Sequence, residues 1–141
     1  MGRPAFDAVG VGDALPSRTF PLTRLDLVRY AGASGDFNVI HWSDRLAGKV
    51  GLPGVIAHGM FTMALVGRAV TSWAGAPDAV VEFSVRFSRP VPVPDTDEGT
   101  QIEVSAVVKE VTDDGLTRLS LSATSQGEKV LSLATATIRK R

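Results

Sequence analysis

Residues 59–73 read GMFTMALVGRAVTSW, an apolar run in which Arg68 is the one charged residue. The run is long enough for about four turns of α-helix. Its apolar residues are spread around the whole circumference of such a helix. A helix that is apolar on every side is typical of a protein interior. The sequence therefore predicts a long central helix that other elements of the chain must cover.

After this helix the chain alternates between apolar and polar residues. Residues 81–88 read VEFSVRFS, and the same alternation returns in residues 102–108 and 119–123. A period of two is typical of a strand with one buried face. Asp113-Asp114-Gly115 supplies a hairpin turn between the second and third of these strands. We therefore predict consecutive antiparallel strands.

A last strand is less regular than the others. It follows a turn at residues 126–128 and runs from Val130 to Ile138. Leu131 and Leu133 fall on one parity, whereas the apolar residues after them fall on the other. We therefore expect both faces of this strand to be covered.

The segment ahead of the central helix predicts a first helix with clear ends. Thr23 and Asp26 have the spacing of a capping box, followed by apolar residues three or four positions apart. We predict a helix from about Thr23 to Ala33 that ends at Gly32 and Gly35.

Two more short elements complete the predicted order. Ser43 and Asp44 are suited to start a short helix, which residues 51–54, GLPG, would stop. Residues 17–22 predict an additional strand. The predicted helices come early in the chain and the hairpin-linked strands come late. This order favours an α+β fold, in which a curved antiparallel sheet wraps one long buried helix. The length of 141 residues favours a single domain, residues 1–141.

Composition excludes several classes of function. Fifteen Lys and Arg residues balance fifteen Asp and Glu residues, so the chain has no net positive charge that would attract nucleic acid. The chain has no cysteine, which excludes disulfides and thiolate chemistry. It also has no apolar run long enough to span a bilayer and no signal-peptide pattern, so we expect a cytoplasmic protein without membrane insertion.

The segment ahead of the central helix also carries the candidate chemistry. Residues 30–41 read YAGASGDFNVIH, which places Asp36 and His41 five positions apart in a glycine-containing loop. Either residue alone would be an ordinary loop residue. Together, just before a buried helix, they favour paired acid/base catalysis.

The start of the central helix is a second candidate feature. Residues 57–60 read AHGM, and the first N–H groups of a helix have no intrahelical partner. Gly59 has no side chain to obstruct an approaching oxyanion, so its N–H is the predicted donor. His58 ranks below His41 and is predicted to be a structural hydrogen-bonding residue. The two histidines could in principle bind a metal ion together with Asp36 or Asp44. However, the sequence lacks the HExxH spacing of a zinc site, so we expect no metal.

These motifs resemble those of the MaoC-like hydratase/dehydratase family, whose pattern is Tyr-Ala-x-x-Ser-Gly-Asp-x-Asn-Pro-Ile-His followed by Ala-His-Gly-Met. Here the two parts are residues 30–41 and 57–60. Within the family, the chain most resembles the catalytic chain of the (3R)-hydroxyacyl-carrier-protein dehydratases of mycolic-acid-type fatty-acid synthesis. Two departures stand out: Val39 replaces the usual Pro, and Ser43 stands where an Asp often follows the His.

The resemblance implies a hot-dog fold and reversible dehydration of (3R)-hydroxyacyl thioesters to trans-2-enoyl thioesters, with no cofactor. Asp36 and His41 would perform the acid/base chemistry, and the Gly59 N–H would polarise the thioester carbonyl. Ser34 and Asn38 are expected to hold the loop.

The resemblance also implies a substrate and a partner subunit. It implies an acyl-CoA or acyl-carrier-protein substrate and a second hot-dog subunit, either a different non-catalytic chain or a second copy. Two alternatives stay open: a non-catalytic acyl-binding subunit and a hot-dog thioesterase. Arg68 as the sole charge on the central helix makes the thioesterase less attractive, because the helix lacks a carboxylate.

Overall fold

The structure, a computed structural model, describes residues 9–140. Residues 1–8 and 141, which the predicted single domain includes, lie outside the described residues, and the domain assignment stays a prediction. Short 3-10 turns occur at Val39–His41 and Pro77–Ala79. The other elements, in chain order, are β1 (Arg18–Leu22), α1 (Arg24–Ser34), α2 (Asp44–Lys49), α3 (Gly59–Ala74), β2 (Val80–Phe87), β3 (Thr100–Val111), β4 (Leu116–Ser125), β5 (Glu128–Lys129) and β6 (Leu131–Arg139).

The strands form one antiparallel sheet in the order β1-β3-β4-β6-β2, and the short β5 pairs with β4. The period of two predicted the buried face of its centre correctly. Ile102, Val104 and Val108 of β3 and Leu119 of β4 are each 0% exposed. β1 and β2 are the edges of this open sheet. The predicted α+β arrangement of a long helix against a curved antiparallel sheet is therefore confirmed.

β6 differs from its prediction at Leu133. This side chain is 71% exposed, so the strand is not covered on both faces at this position. Further along, the consecutive residues Ala136, Thr137 and Ile138 are all at most 5% exposed, so both faces are covered there as expected. The backbone at Leu133 has a φ of 48°, and the pairing with β2 skips between Ser132 and Thr135. These features mark a β-bulge, which inserts one extra residue and moves the following side chains to the opposite parity. The bulge therefore explains the change of parity at Leu133.

α3 is buried along one face only. Its inner face consists of Thr62, Leu65, Val66, Ala69, Val70, Trp73 and Ala74, which are all at most 8% exposed. Met60, on the opposite side, is 58% exposed, and Arg68 is also exposed. The expectation of burial on every side is therefore wrong for this chain, because its single sheet lies against one side of the helix. Within residues 9–140 no helix is long and apolar enough to cross a membrane.

The predicted helix ends are confirmed, except that the end predicted at Gly32 is wrong. The Thr23 hydroxyl accepts from the Asp26 N–H and the Asp26 carboxylate accepts from the Thr23 N–H, which completes the capping box. α1 ends at Gly35, whose left-handed conformation allows its N–H to donate to the Ala31 carbonyl, whereas Gly32 lies inside the helix. The Ser43 hydroxyl caps α2.

Gly99 offers a test of how β1 and α1 are held against the sheet. Its φ is 59°, and a Cβ at this position would overlap the Leu22 carbonyl oxygen and lie 2.9 Å from the Thr23 Cα. Gly99→Ala is expected to lower the free energy of unfolding by about 2–5 kcal/mol, because left-handed strain adds to the displacement of backbone. Urea unfolding followed by circular dichroism measures this loss.

Gly115→Ala is the matched control. Gly115 has a φ of 87°, but a Cβ there would have no neighbour within 4 Å. We expect the free energy of unfolding of this variant to fall only by the cost of the left-handed conformation, about 1–2 kcal/mol. Equal losses for the two variants would contradict the role assigned to the close contact at Gly99.

Candidate active site

The loop after α1 is held by its own side chains. The Ser34 hydroxyl accepts from the Asp36 N–H, the Asp36 Oδ1 accepts from the Asn38 N–H, and the Asn38 Oδ1 accepts from the Ile40 N–H, each at 3.2 Å. Asp, Asn and Ser side chains commonly form such bonds to the backbone two residues on. The loop thus has a defined shape, while the Asp36 side chain remains 51% exposed.

His41 is oriented by a single backbone carbonyl. Its side chain is 8% exposed, and its Nδ1 lies 2.7 Å from the Ile56 oxygen. A carbonyl oxygen only accepts, so Nδ1 carries the proton and the neutral ring has its lone pair on Nε2. Nε2 lies 4.0 Å from the Asp36 Oδ2. The structure therefore brings the two predicted acid/base residues together, with the basic nitrogen of the histidine towards the carboxylate.

The segment that supplies this carbonyl is itself tightly held. The Ala57 N–H donates to the Val91 oxygen at 2.9 Å, and the Val93 N–H donates to the Val55 oxygen at 3.0 Å. Ile56 lies between these two bonds and donates its own N–H to the Ile40 oxygen. The orientation of His41 thus depends on backbone pairing between distant parts of the chain.

Asp44 adds a further attachment to this segment. Its Oδ1 accepts from the Val55 N–H at 2.8 Å and from Arg24 Nη2 at 2.9 Å. The hydrogen bond from Val55, followed by that from Arg24, holds the pKa of Asp44 below its usual value of 3.8. Arg24 also donates from Nε to the Val93 oxygen at 2.5 Å. α1, α2 and the 91–93 segment therefore meet at one ion pair next to the candidate site.

His58 lies inside the site, behind His41. It is 1% exposed, and its ring stacks on that of His41 with centroids 3.8 Å apart and planes 23° apart. Its Nε2–H donates to the Asp36 carbonyl at 3.1 Å. Tyr30 of α1 covers another side, with ring centroids 4.7 Å apart. Burial is the main cause that lowers the pKa of His58 below its usual value of 6.5.

A cleft of about 430 Å³ contains both His41 and Gly59 in its wall. Within residues 9–140 the Gly59 N–H has no hydrogen-bond partner, as expected at the first residue of a helix. A Cβ on Gly59 would lie 3.3 Å from the Phe87 ring, so a side chain would narrow the cleft. The rest of the wall is mostly apolar and consists of Ile40, Ile56, Ala57, Thr62, Phe87, Ser88, Arg89, Pro90, Val91 and Val130. The cleft can therefore bind an apolar chain and offer the Gly59 N–H to an oxygen.

Asp36, His41 and His58 also come close enough to be considered as metal ligands, with ligand atoms within 4.8 Å of one another. Metal ions bind imidazole nitrogen along the lone pair, in the plane of the ring, at about 2.0–2.1 Å. The two imidazole planes here are stacked, so their lone pairs do not meet at one point. This arrangement does not suit an ion, and the expectation of a metal-free site stays a prediction.

The two departures from the family pattern leave the loop intact. Val39 is the first residue of the 3-10 turn, where Pro would be tolerated because the N–H has no partner within a helix. The turn forms without Pro because the Asn38 side chain caps it. Ser43 takes the N-cap position of α2, and Asp44, one residue later, makes the ion pair with Arg24.

Sequence reasoning missed three contributors to the site. The Ile56 carbonyl is a backbone atom and leaves no signal in residue type. Arg24 and Asp44 are 20 positions apart, and neither belongs to a spacing pattern that predicts their contact. Tyr30 belongs to the first motif, but nothing in the sequence indicates that it lies against His58. The catalytic and supporting roles assigned from sequence stay predictions.

In sequence, the chain is 44% identical over 81 residues to 3-hydroxyacyl-thioester dehydratase X of Mycobacterium tuberculosis. This similarity covers 57% of the chain and 28% of that protein. The chain is also 31% identical over 86 residues to 3-hydroxybutyryl-CoA dehydratase of Methylorubrum extorquens, covering 60% of the chain and 54% of that protein. The chain thus spans less than two thirds of the length of either relative.

Solved structures show the same fold. A MaoC-like dehydratase superimposes with a TM-score of 0.92 and 42% identity, covering 98% of this chain and 42% of that chain. The R-hydratase PhaJ1 from Pseudomonas aeruginosa has a TM-score of 0.81 at 24% identity, covering 98% of this chain and 86% of that chain. The ChsH1–ChsH2 complex from Mycobacterium tuberculosis has a TM-score of 0.79 at 23% identity, covering 94% and 98%. These last two likenesses concern the fold alone.

The family assignment rests on the larger part of the sequence. The sequence profile described as "MaoC like domain" matches residues 11–125. The matched range contains the loop with Asp36 and His41 and the start of α3. The chain therefore belongs to the MaoC-like domain family.

Proposed function

We propose that this chain catalyses the reversible dehydration of (3R)-hydroxyacyl thioesters to trans-2-enoyl thioesters in fatty-acid metabolism. One observation carries the proposal: Nε2 of His41 lies 4.0 Å from the Asp36 carboxylate while its Nδ1 bonds to the Ile56 carbonyl, and His41 shares a cleft with the Gly59 N–H. The names of the relatives support the substrate class, since they specify thioester and CoA dehydratases.

In the dehydration direction, His41 acts as the base. Its Nε2 lone pair takes the proton from C2, and the C–H electrons form a bond between C2 and the thioester carbon. The carbonyl oxygen becomes enolate-like, and the Gly59 N–H donates a hydrogen bond to it. The partial positive charge at the start of α3 favours the same oxygen.

Asp36 completes the elimination. In its protonated form it gives a proton to the hydroxyl on C3, which leaves as water while the enolate electrons form the C2–C3 double bond. His41 then holds one proton and Asp36 none, so one proton must pass between them before the next turnover. The reverse sequence hydrates the enoyl thioester, with Asp36 as base and His41 as acid.

The short distance between the two groups predicts the stereochemistry. Groups 4.0 Å apart cannot contact opposite faces of a substrate, so both act from one face and the elimination is syn. Loss of water changes no net oxidation state, so this chemistry needs no redox cofactor. The apolar wall of the cleft suits the acyl chain, whether CoA or a carrier protein bears the thioester.

A second hot-dog subunit is part of the proposal. Met60 of α3 and Val81 of the edge strand β2 are 58% and 48% exposed, as expected for a surface that another subunit covers. The solved MaoC-like dehydratase is more than twice as long as the part that matches this chain. We therefore expect a second hot dog to complete the cleft, with a different, non-catalytic chain favoured over a second copy.

Asp36→Asn is the direct test of the acid/base pair. Asn keeps the Oδ1 that accepts from the Asn38 N–H, so the loop is retained while proton transfer is lost. Hydration of crotonyl-CoA and of a longer trans-2-enoyl-CoA, followed by loss of enoyl absorbance, should slow by about 10²-fold or more. We expect the same scale for His41→Ala.

Asp113→Asn, in the β3–β4 turn, is the matched control and should leave the rate unchanged. Full activity in Asp36→Asn would exclude the proposed role of the carboxylate. Release of free thiol from an acyl thioester would support the thioesterase instead. If the wild type shows neither reaction with its partner present, the non-catalytic acyl-binding subunit is the better interpretation.

The proposed interface predicts that a charge placed within it lowers the mass of the assembly. A charge at an apolar, subunit-covered position is unfavourable, so Val81→Glu should convert an assembly of at least two chains into a monomer of 14.9 kDa. Light scattering after size-exclusion chromatography measures this mass. Val111→Glu, at the far end of β3, is the control and should keep the wild-type mass. A stable, active homodimer would exclude an obligate need for a different chain.

A further inference from the structure

We infer that His58 is a positioning residue for the reaction proposed above. As a neutral ring it holds the Asp36 backbone through its Nε2–H and gives His41 an uncharged surface to stack on, so that the proton taken from the substrate goes to His41. The catalytic role of His58 rests on the proposed function, whereas the tautomer and charge of its ring can be tested without any activity.

The hydrogen bonds define which nitrogen of His58 carries a proton. Nε2 lies 3.1 Å from the Asp36 carbonyl, which only accepts, so Nε2 is the donor. Nδ1 is buried and has no partner among the described residues. A second proton on Nδ1 would therefore create a buried N–H without an acceptor, which is unfavourable. The neutral Nε2–H tautomer is the form that suits these surroundings.

The groups around His58 shift its pKa in opposite directions. Asp36 faces it from the loop, His41 from the 3-10 turn, and Tyr30 from α1. Burial and the charge of a protonated His41 lower the pKa of His58, whereas the Asp36 carbonyl and carboxylate raise it, and burial is the largest of these effects. The balance leaves His58 neutral beside a His41 that must gain a proton in each turnover.

Stacking makes the neutrality of His58 important for His41. Ring centroids 3.8 Å apart would place two like charges in contact if both rings were protonated. A charged His58 would therefore oppose protonation of His41, whereas a neutral His58 permits it. The same ring keeps Asp36 in place, because it donates to the carbonyl of the residue that handles the hydroxyl.

The ring state can be measured in the wild-type protein. His41 and His58 are the only two histidines of the 141 residues, so long-range ¹H–¹⁵N spectra of the untagged chain contain two imidazoles. We expect the Nε2–H tautomer for His58, the Nδ1–H tautomer for His41, and a His58 that stays neutral below pH 6.5. A His58 that carries its proton on Nδ1, or that titrates at or above pH 6.5, overturns the inference.

Two variants separate the donor from the ring. His58→Gln keeps an N–H at the reach of Nε2 but removes the ring, and His58→Phe keeps a ring but removes the donor. We expect kcat of His58→Phe to fall by about 10²-fold with KM nearly unchanged, the scale of a displaced catalytic group. His58→Gln should recover about tenfold of that loss, because it again donates to the Asp36 carbonyl.

Trp42→Phe is the control for general loosening of the loop. Trp42 donates from Nε1 to the Phe37 carbonyl, one residue beyond Asp36, and its loss should leave kcat close to the wild-type value. A folded His58→Phe protein with wild-type kcat, or a His58→Gln protein no better than His58→Phe, overturns the inference. If the wild type lacks hydratase activity, the proposed function fails and the spectra alone decide the state of His58.

The lowered pKa of His58 also predicts a change of stability with pH. Between the folded value and the unfolded value of 6.5, the unfolded chain binds more protons, so stability falls as the pH falls through this range. The urea midpoint of the wild type should therefore drop more between about pH 7.5 and pH 5.5 than that of His58→Gln. Equal drops in the two proteins would contradict a lowered pKa at His58.

Discussion

The candidate site depends on the hydrogen bond from His41 Nδ1–H to the Ile56 carbonyl, at 2.7 Å. This one contact selects the tautomer of His41, directs its Nε2 lone pair towards Asp36 and attaches the loop to the segment that leads into α3. The carbonyl can do this because the residues on both sides of it are paired with the 91–93 segment. Gly59, three positions further on, begins α3, so the proposed base and the proposed oxyanion donor are held by one short stretch of backbone.

The fold leaves part of its apolar surface without cover. One sheet lies against one side of α3, so Met60 and the edge strand residues Val81 and Phe87 remain about half exposed or more. Such an apolar surface beside the cleft supports the proposed second subunit.

Local patterns in the sequence predicted most of the fold. The alternation in β3 and β4 identified their buried residues, and the capping box identified the start of α1, because these signals depend on neighbours in sequence. The bulge at Leu133 was missed because it depends on how β6 pairs with β2, and only its consequence, the change of parity, was visible in the sequence. The exposed side of α3 was missed because residue types do not tell how much of a helix one sheet can reach.

The site shows the same division. The sequence by itself determined the chemical groups: a carboxylate and an imidazole five positions apart, and a glycine at a helix start. Only the tertiary structure decided that His58 stacks on His41, which nitrogen of each ring carries the proton, and that the Ile56 carbonyl and Asp44 hold the assembly. The physical reason is that a hydrogen bond or a stacked ring depends on positions in space, and residues 11 to 22 positions apart meet there only after the sheet and helices have packed.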